Sequence, residues 1–149
     1  MNIERYSQEI NEELMNLLFI ADPDLQTIEK YLPNSTIFVA KESDIFVGIV
    51  VIISTGDQYE LKNIAVHTSY QNRGIAKKLI FKAKEYAKNN GALTITVGTG
   101  NSSLSQLALY QKCGFRMKNI EKNFFLKYPE PIFENGIRCL DLVMLSAKL

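Results

Sequence analysis

Hydrophobic positions near the start of the chain recur at helical spacing. Apolar side chains repeat every three or four residues over residues 10–18, with polar side chains between them, which predicts an amphipathic helix. Asp22-Pro23 ends that helix, and residues 25–32 predict a second, shorter one that stops at a proline. Residues 3–6 predict a short strand ahead of both helices.

Three extended segments follow the helices. Residues 36–41 are β-branched and aromatic, residues 45–54 are almost wholly apolar, and residues 59–66 continue the pattern. The turns between them are short, at residues 42–44 and 55–57. Strands joined by such short turns must pair as an antiparallel meander.

The spacing of apolar residues then returns to that of a helix. Apolar residues repeat at helical spacing over residues 75–87, and Gly91 predicts the end of this helix. Residues 93–97 predict a buried strand, so the strand-helix-strand unit predicts a right-handed parallel crossover. Residues 104–112 predict a shorter helix that Gly114 terminates.

The last third of the chain predicts two further strands, over residues 115–125 and 137–144. The connection over residues 126–136 contains two prolines and the turn pair Asn135-Gly136. The whole pattern predicts an α/β (α+β) fold: a mixed, mostly antiparallel seven-stranded sheet flanked by about four helices. Its length predicts a single domain over residues 1–149.

Composition narrows the function classes. The net charge of +1 argues against a nucleic-acid partner, whose binding requires the neutralisation of many phosphates. Cys113 and Cys139 lack the spacing of a zinc site or a disulfide framework, so no metal is expected. The N-terminus does not resemble a signal peptide, and the apolar run over residues 45–53 is too short to span a membrane. We therefore expect a soluble, cytoplasmic protein without a membrane partner.

The segment Gln71-Asn72-Arg73-Gly74-Ile75-Ala76 lies between a predicted strand and the start of a predicted helix. The first N–H groups of a helix have no intrahelical partner and attract anions. Gly74 and Ala76 are small enough for the backbone to approach a phosphate closely. Arg73 and the two lysines from Lys77 onward add positive charge. The segment is neither a Walker A motif nor a GxGxxG fingerprint, and in isolation it also fits an ordinary helix start.

With its flanking residues, this segment resembles the signature of the GCN5-related N-acetyltransferases, the GNAT family. In that family a strand similar to the residues Leu61–Val66 precedes Q/R-x-x-G-x-G/A, which here stands as QNRGIA. A second family element, a tyrosine followed by a Gly-Phe pair, stands here as Tyr110 and Gly114-Phe115. The alanine of that element stands two residues before the tyrosine instead of four. The resemblance covers about residues 36–145 and implies an acyl-CoA N-acyltransferase-like fold.

The resemblance implies an enzyme, an acetyl-CoA-dependent N-acetyltransferase, with acetyl-CoA as the co-substrate. The backbone of Ile64, Ala65 and Val66 would bind the pantetheine arm, and the Val66 N–H would polarise the thioester carbonyl. The residues that would hold the pyrophosphate and its loop are Gln71, Asn72, Arg73, Gly74, Ile75, Ala76 and Lys77.

The resemblance also implies the acid and suggests the base. Tyr110 would protonate the leaving thiolate, and its alternative role is a core tyrosine that packs a helix on the sheet. Glu60 stands where some family members carry a catalytic glutamate, and its alternative role is to attract a cationic substrate. His67 is the only histidine and is interpreted as a turn residue.

One departure from the family pattern concerns the pantetheine contact. Many members carry an asparagine at the position that Ser103 occupies here, whereas this chain has Asn101 two residues earlier. Either Asn101 or Ser103 would contact pantetheine. Ser102 or Ser103 could instead only cap the following helix. The glycines in residues 98–103 are suited to close ligand contact.

The acceptor would be a small-molecule or peptide amine: a polyamine, an amino acid, an aminoglycoside-like drug or a protein amine. Residues 10–32 and 126–136 would wall its site, with aromatic side chains at Phe124, Phe125, Tyr128 and Phe133. The acids that would form a rim, or remain solvated surface, are Glu12, Glu13, Asp22, Asp24, Glu29, Glu130 and Glu134. A non-catalytic acetyl-CoA sensor or scaffold is the alternative function. Family members are often dimers, so a homodimer stays open.

Overall fold

The computed structural model describes residues Met1–Leu149 and has one seven-stranded sheet at its centre, in the order β1-β2-β3-β4-β5-β9-β6. The strands are β1 (Asn2–Tyr6), β2 (Ser35–Glu42), β3 (Ile45–Thr55), β4 (Gln58–Val66), β5 (Thr94–Gly100), β6 (Arg116–Glu121), β7 (Phe133–Glu134), β8 (Ile137–Arg138) and β9 (Leu142–Lys148). The short strands β7 and β8 form a separate hairpin. The helices are α1 (Glu12–Ala21), α2 (Leu25–Tyr31), α3 (Ile75–Asn89) and α4 (Leu104–Lys112).

The predicted mixed sheet is confirmed. Every strand pair of the sheet is antiparallel except β4 and β5, which are parallel and joined through α3. The meander β2-β3-β4 and the parallel crossover therefore have the predicted connectivity. The four helices are too short or too polar for any of them to cross a membrane.

Helices cover both faces of the sheet. The apolar stripe of α3 includes Leu79 and Ile80, which are buried against one face together with side chains from β2 to β5 and β9. The helices α1 and α2 bury Leu14, Leu18 and Ile28 against the other face. Each such side chain stabilises the fold by roughly 1.5–3 kcal/mol, so the helices hold the centre of β4 rigidly between two apolar layers.

The predicted strand boundaries in the last third of the chain are wrong. The strand predicted over residues 115–125 stops at Glu121, because Asn123 adopts a left-handed conformation with φ 64° and donates its N–H to Asp141 Oδ1 at 2.9 Å. The strand predicted over residues 137–144 is divided between β8 and β9. The Asn101 side chain accepts the N–H groups of Leu140 and Asp141 at 2.8 and 2.9 Å, which removes them from any strand ladder.

Two other boundaries shift for local reasons. Leu93 was predicted to be buried in a strand, but it is 77% exposed and precedes β5. The strand β5 instead extends to Gly100, because β9 pairs with its whole length. Ile10 lies outside α1, since the Asn11 side chain caps that helix by accepting the Leu14 N–H at 2.8 Å.

Candidate active site

The strands β4 and β5 separate partway along their length. Their parallel pairing covers only Tyr59–Leu61 against Ile95–Val97. The register between β3 and β4 also shifts, because Val51 faces Asn63 whereas the next residue of β3 faces Leu61. Beyond this bulge, β4 pairs with β3 alone, so its other edge is open from Ile64 to Val66.

The open edge of β4 presents the backbone of Val66. The His67 N–H donates to the Val47 carbonyl of β3 at 2.8 Å, and the N–H groups of successive strand residues point to opposite edges. The N–H and carbonyl of Val66 therefore point away from β3. The Val66 carbonyl accepts the Gln71 Nε2–H at 3.1 Å, in agreement with this orientation.

The loop that follows β4 delivers the chain to the start of α3. Asn72 and Gly74 both have positive φ, at 65° and 79°, so the loop turns back twice within three residues. Gly74 is the N-cap of α3, and no side chain caps this helix. A Cβ built on Gly74 would meet nothing within 4 Å. The N–H groups of the first turn of α3 therefore have no side-chain partner, and the space beside Gly74 is open.

This helix start is positively charged. Its first turn contains no acidic residue, and Lys77 and Lys78 are exposed. The Arg73 guanidinium lies 5.0 Å from the centre of the Tyr70 ring. None of these three cations forms a salt bridge. The loop thus combines free N–H groups with unpaired positive charge, which fits a pyrophosphate.

The side chains of two loop residues, Gln71 and Ile75, make contacts within the protein. The Gln71 amide holds the Val66 carbonyl, and the Ile75 side chain is buried in the core beneath α3. Ile75 can therefore offer a ligand only its backbone groups, whereas the Gln71 amide keeps its oxygen and one N–H free.

A cavity of about 430 Å³ lies beside the separated strands. It is bounded by β4 and β5, the junction of α1 and α2, the start of α4, and the segment from residue 124 to residue 142. Its polar lining residues include Asp22, Glu60, Asn63, Ser103, Tyr110 and Glu134. The walls predicted for an acceptor site therefore do meet at one cavity.

The Tyr110 ring is buried, whereas its hydroxyl has no hydrogen-bond partner in the protein and is not fully buried, so it opens on the cavity. Desolvation, and secondarily the nearby Cys113, hold its pKa well above the ordinary value of 10.0. The ring packs edge-on against Phe115 at 5.8 Å, and the turn at Gly114, with φ 93°, lets the Phe115 N–H donate to the Tyr110 carbonyl at 3.0 Å. The Gly-Phe pair thus fixes a protonated phenol at the cavity wall.

Glu60 lies on β4 at the same cavity. Its side chain is 21% exposed, and its Oε2 is 3.6 Å from Lys62 Nζ. A half-buried carboxylate with one weak ion pair retains lone pairs that can accept a proton from an amine or a water.

Asn63 is a buried polar residue that the sequence analysis did not single out. Its Nδ2 donates to the Leu18 carbonyl at 3.1 Å and to the Tyr31 hydroxyl at 2.9 Å, which ties α1 and α2 to β4. Its Oδ1 is the one buried side-chain nitrogen or oxygen without a partner. Burial raises the pKa of Tyr31 to about 12 despite the Asn63 bond. An asparagine directly before the apolar run Ile64-Ala65-Val66 was the available signal.

The two alternatives for the pantetheine contact differ in the structure. The Asn101 amide accepts the two N–H groups of Leu140 and Asp141 and donates to the Arg138 carbonyl at 3.1 Å. These bonds use the Asn101 amide oxygen and one of its two N–H groups, so only the other N–H is left for a ligand. Ser103 lines the cavity and Asn101 does not, which favours Ser103 as the pantetheine contact.

The capping interpretation of Ser103 is wrong. Ser103 is the N-cap of α4, yet its side chain accepts no backbone N–H of that helix. Its hydroxyl donates to Glu134 Oε1 at 2.9 Å, and the Ser102 hydroxyl donates to the same oxygen at 3.1 Å.

The glycines at the end of β5 serve packing. A Cβ at Gly98 would lie 2.8 Å from Met144 Sδ, and a Cβ at Gly100 would collide with Cys139 Sγ. β9 and the loop before it thus approach both glycines closely, and the two glycines also line the cavity.

The acidic rim is confirmed in part. Asp22 and Glu134 line the cavity with Glu60, whereas the other predicted rim acids do not, and Lys62 is the one cation of the lining. Asp22 Oδ1 accepts the Asp24 N–H at 3.0 Å, and burial is the main cause of a raised Asp22 pKa. Among the predicted aromatic residues Phe124, Phe125 and Tyr128 line the cavity, but Phe133 is 65% exposed and lies outside it.

The arrangement matches known proteins. The model of the Acetyltransferase (GNAT) family matches residues 4–115. The N-acetyltransferase YvbK of Bacillus subtilis is 48% identical over 144 residues, which span 95% of this chain and 93% of that protein.

Two solved structures share the fold over nearly their whole length. A Bacillus subtilis acetyltransferase in complex with CoA is 46% identical with a TM-score of 0.94, covering 99% of this chain and 97% of that one. A GNAT family acetyltransferase from Elizabethkingia anophelis with acetyl-CoA bound is 40% identical with a TM-score of 0.95, with the same coverage. The chain therefore belongs to the acetyltransferase (GNAT) family and is an acetyl-CoA-dependent acyltransferase.

Proposed function

We propose that the enzyme acetylates a primary amine by direct attack in a ternary complex, with Tyr110 as the general acid and Glu60 as the base. The observation that carries this proposal is the position of Tyr110, a buried residue whose phenol has no hydrogen-bond partner in the protein and lines the same cavity as Glu60. The open edge of β4 borders that cavity through Ile64.

Acetyl-CoA would be held along the open edge of β4 and at the start of α3. The backbone of Ile64, Ala65 and Val66 would pair with the pantetheine arm, in place of the missing β5 neighbour. The Val66 N–H would stabilise the negative charge that develops on the thioester oxygen. Asn72, Arg73, Gly74, Ala76 and Lys77 would bind the pyrophosphate, and Gln71 and Ile75 would hold the shape of the loop.

The reaction needs one group that accepts a proton from the amine and one that donates a proton to the leaving thiolate. A lysine-like ammonium has a pKa of about 10.4, so it must lose a proton before it can attack. Glu60 accepts that proton directly or through a water molecule. As the C–N bond forms and the C–S bond breaks, Tyr110 gives its proton to the departing sulfur. The nitrogen loses a second proton as the amide forms, and this proton restores the Tyr110 phenol directly or through a water molecule.

The first experiment is a turnover assay with purified protein, acetyl-CoA and a panel of primary amines. We expect thiol release that depends on the amine, together with an acetylated product in the mass spectrum. CoA binding without turnover of any amine would favour the sensor or scaffold instead. A binding module would require neither Tyr110 nor Glu60, and both line the cavity of this protein.

The cavity lining points to a cationic amine with an apolar body. The lining contains three carboxylates and one lysine, so its electrostatic field favours a cationic ligand. The aromatic side chains of Phe124, Phe125 and Tyr128 provide an apolar wall. In the amine panel, we expect aryl- and alkylamines to give a higher kcat/KM than polyhydroxylated aminoglycosides. A preference for aminoglycosides would contradict this assignment.

Replacing Asp22 with asparagine should stabilise the fold while weakening catalysis. The raised pKa means that folding disfavours the Asp22 carboxylate, so its contribution to stability falls as the pH rises through that pKa. We expect a higher Tm at pH 7, and a difference from the wild type that shrinks in acid. The kcat/KM for a cationic amine should fall by up to about fivefold, as for a partly exposed charge.

Asp24→Asn is the matched control for Asp22→Asn. Asp24 carries the same charge two residues away but does not line the cavity. If Asp24→Asn lowers kcat/KM as much as Asp22→Asn does, general electrostatics and not a cavity contact would explain the effect.

A further inference from the structure

We propose that Glu134 is a positioning residue that turns the Ser103 hydroxyl into a pure hydrogen-bond acceptor for an N–H of the pantetheine arm. This inference rests on the proposed contact between Ser103 and acetyl-CoA. It assigns a role in cofactor binding to the β7-β8 hairpin, a part of the chain outside the recognised motifs.

The Glu134 carboxylate fixes the direction of both of its hydrogen bonds to serine. An ionised carboxylate has no proton to donate, so both serine hydroxyls must donate to it. Ser103 Oγ is 2.9 Å and Ser102 Oγ is 3.1 Å from the same atom, Glu134 Oε1. Since a hydroxyl has one proton, Ser103 retains only its lone pairs for another partner.

The lone pairs of the Ser103 hydroxyl are not used by the helix that Ser103 begins. A serine at an N-cap ordinarily accepts an N–H from the first turn of its helix. Ser103 occupies the N-cap of α4 without making that bond, and it lines the cavity. Its free acceptor capacity is therefore available at the cavity wall.

The ligand offers both kinds of hydrogen-bonding group to Ser103. The pantetheine arm carries amide N–H donors and amide carbonyl acceptors. A freely rotating serine could meet either kind of group, whereas Ser103 held by Glu134 can meet only an N–H. Glu134 thus selects which end of an amide faces α4.

A purely structural role for Glu134, as a latch for the hairpin, is redundant. The Asn135 Nδ2 donates to the Ser102 carbonyl at 2.9 Å, and the Cys139 N–H donates to the Ile132 carbonyl at 2.7 Å. The Asn101 amide makes three further backbone bonds, one to Arg138 at the end of β8 and two just after the hairpin. Removing the Glu134 carboxylate leaves all of these bonds in place.

The test compares two ligands by isothermal titration calorimetry on the full-length protein. One ligand is CoA, and the other is 3′-phosphoadenosine 5′-diphosphate, which lacks the pantetheine arm. The variants are Glu134→Ala, Glu134→Gln, Ser103→Ala and the double variant Ser103→Ala/Glu134→Ala. Glu130→Ala removes an exposed acid of the same connection that does not line the cavity, and serves as the control.

We expect Glu134→Ala and Ser103→Ala each to weaken CoA binding by about fivefold, the typical worth of one hydrogen bond. Binding of the nucleotide without the arm should be unchanged. The double variant should bind CoA no more weakly than Ser103→Ala, because Glu134 acts through Ser103. Glu134→Gln should retain the CoA affinity, since its side-chain oxygen still accepts both hydroxyl protons.

The results distinguish a failure of the Glu134 role from a failure of the Ser103 contact on which that role rests. If Ser103→Ala leaves CoA binding unchanged, the Ser103 contact itself is wrong. If Ser103→Ala weakens binding but Glu134→Ala does not, only the positioning role is wrong. Equal losses for both ligands, additive losses in the double variant, or a loss in Glu134→Gln equal to that in Glu134→Ala would also overturn it.

Discussion

Replacing Gly74 with glutamate is expected to abolish CoA binding, with a loss of affinity of at least about 100-fold. A carboxylate at the start of α3 would occupy the space that a phosphate needs and would repel it. Like charges in such close contact cost several kcal/mol, and each 1.4 kcal/mol is a factor of ten. The fold should survive, because a Cβ at Gly74 meets no atom within 4 Å. Calorimetry with CoA and thermal unfolding measure the two effects.

Gly91→Glu is the matched control at the other end of α3. Gly91 has a φ of 86°, close to the 79° of Gly74, and a Cβ there also meets open space. Both variants thus impose similar backbone strain and add the same charge. We expect both to lose a similar amount of stability, with CoA affinity preserved only in Gly91→Glu. Unchanged affinity in Gly74→Glu would refute the assignment of the loop.

The features that the sequence predicts well are local. The anion-binding loop needs only a strand end, two small residues and a helix start, all within Val66 to Lys77. The helices α3 and α4 begin and end at signals within a few residues of their ends, such as Gly91 and Gly114. Propensity, capping and periodicity act over this range, so one sequence carries the information.

The features that the sequence does not predict depend on distant partners. The boundary between β8 and β9 is set by Asn101, which lies 39 and 40 residues before the backbone groups that it holds. Glu134 is an ordinary turn-proximal acid until the fold places it 31 residues from Ser103 in the chain and 2.9 Å in space. No local pattern encodes such pairings.

The face of β4 that meets the cavity also depends on a distant pairing. A strict alternation of side chains would place Glu60 and Asn63 on opposite faces of the strand. The bulge opposite Val51 shifts the alternation, and both residues line the cavity. The sequence suggested Glu60 from its spacing to the loop but could not indicate Asn63 beside it.

Replacing Tyr110 with phenylalanine is expected to lower kcat by about 100-fold, within the range for the loss of a general acid. The KM for acetyl-CoA should change little, because the phenol lines the cavity without a hydrogen bond to any other part of the protein. Stability should be unchanged or slightly higher, since the variant removes a polar atom from a buried ring that packs on Phe115. Tyr86→Phe is the control, as Tyr86 lies on α3 away from the cavity lining.

The pH dependence distinguishes an acid from a packing residue. Burial holds the Tyr110 pKa above its ordinary value of 10.0, so the phenol keeps its proton throughout the neutral and mildly alkaline range. The ratio of wild-type kcat to Tyr110→Phe kcat should therefore stay constant from about pH 7 to pH 10. A ratio that declines across this range would mean that the acid has an unshifted or lowered pKa, and equal turnover in both proteins would remove Tyr110 from the mechanism. Because an amine attacks only after losing its proton, the rise of kcat/KM with pH in both proteins should instead follow the acceptor and its base.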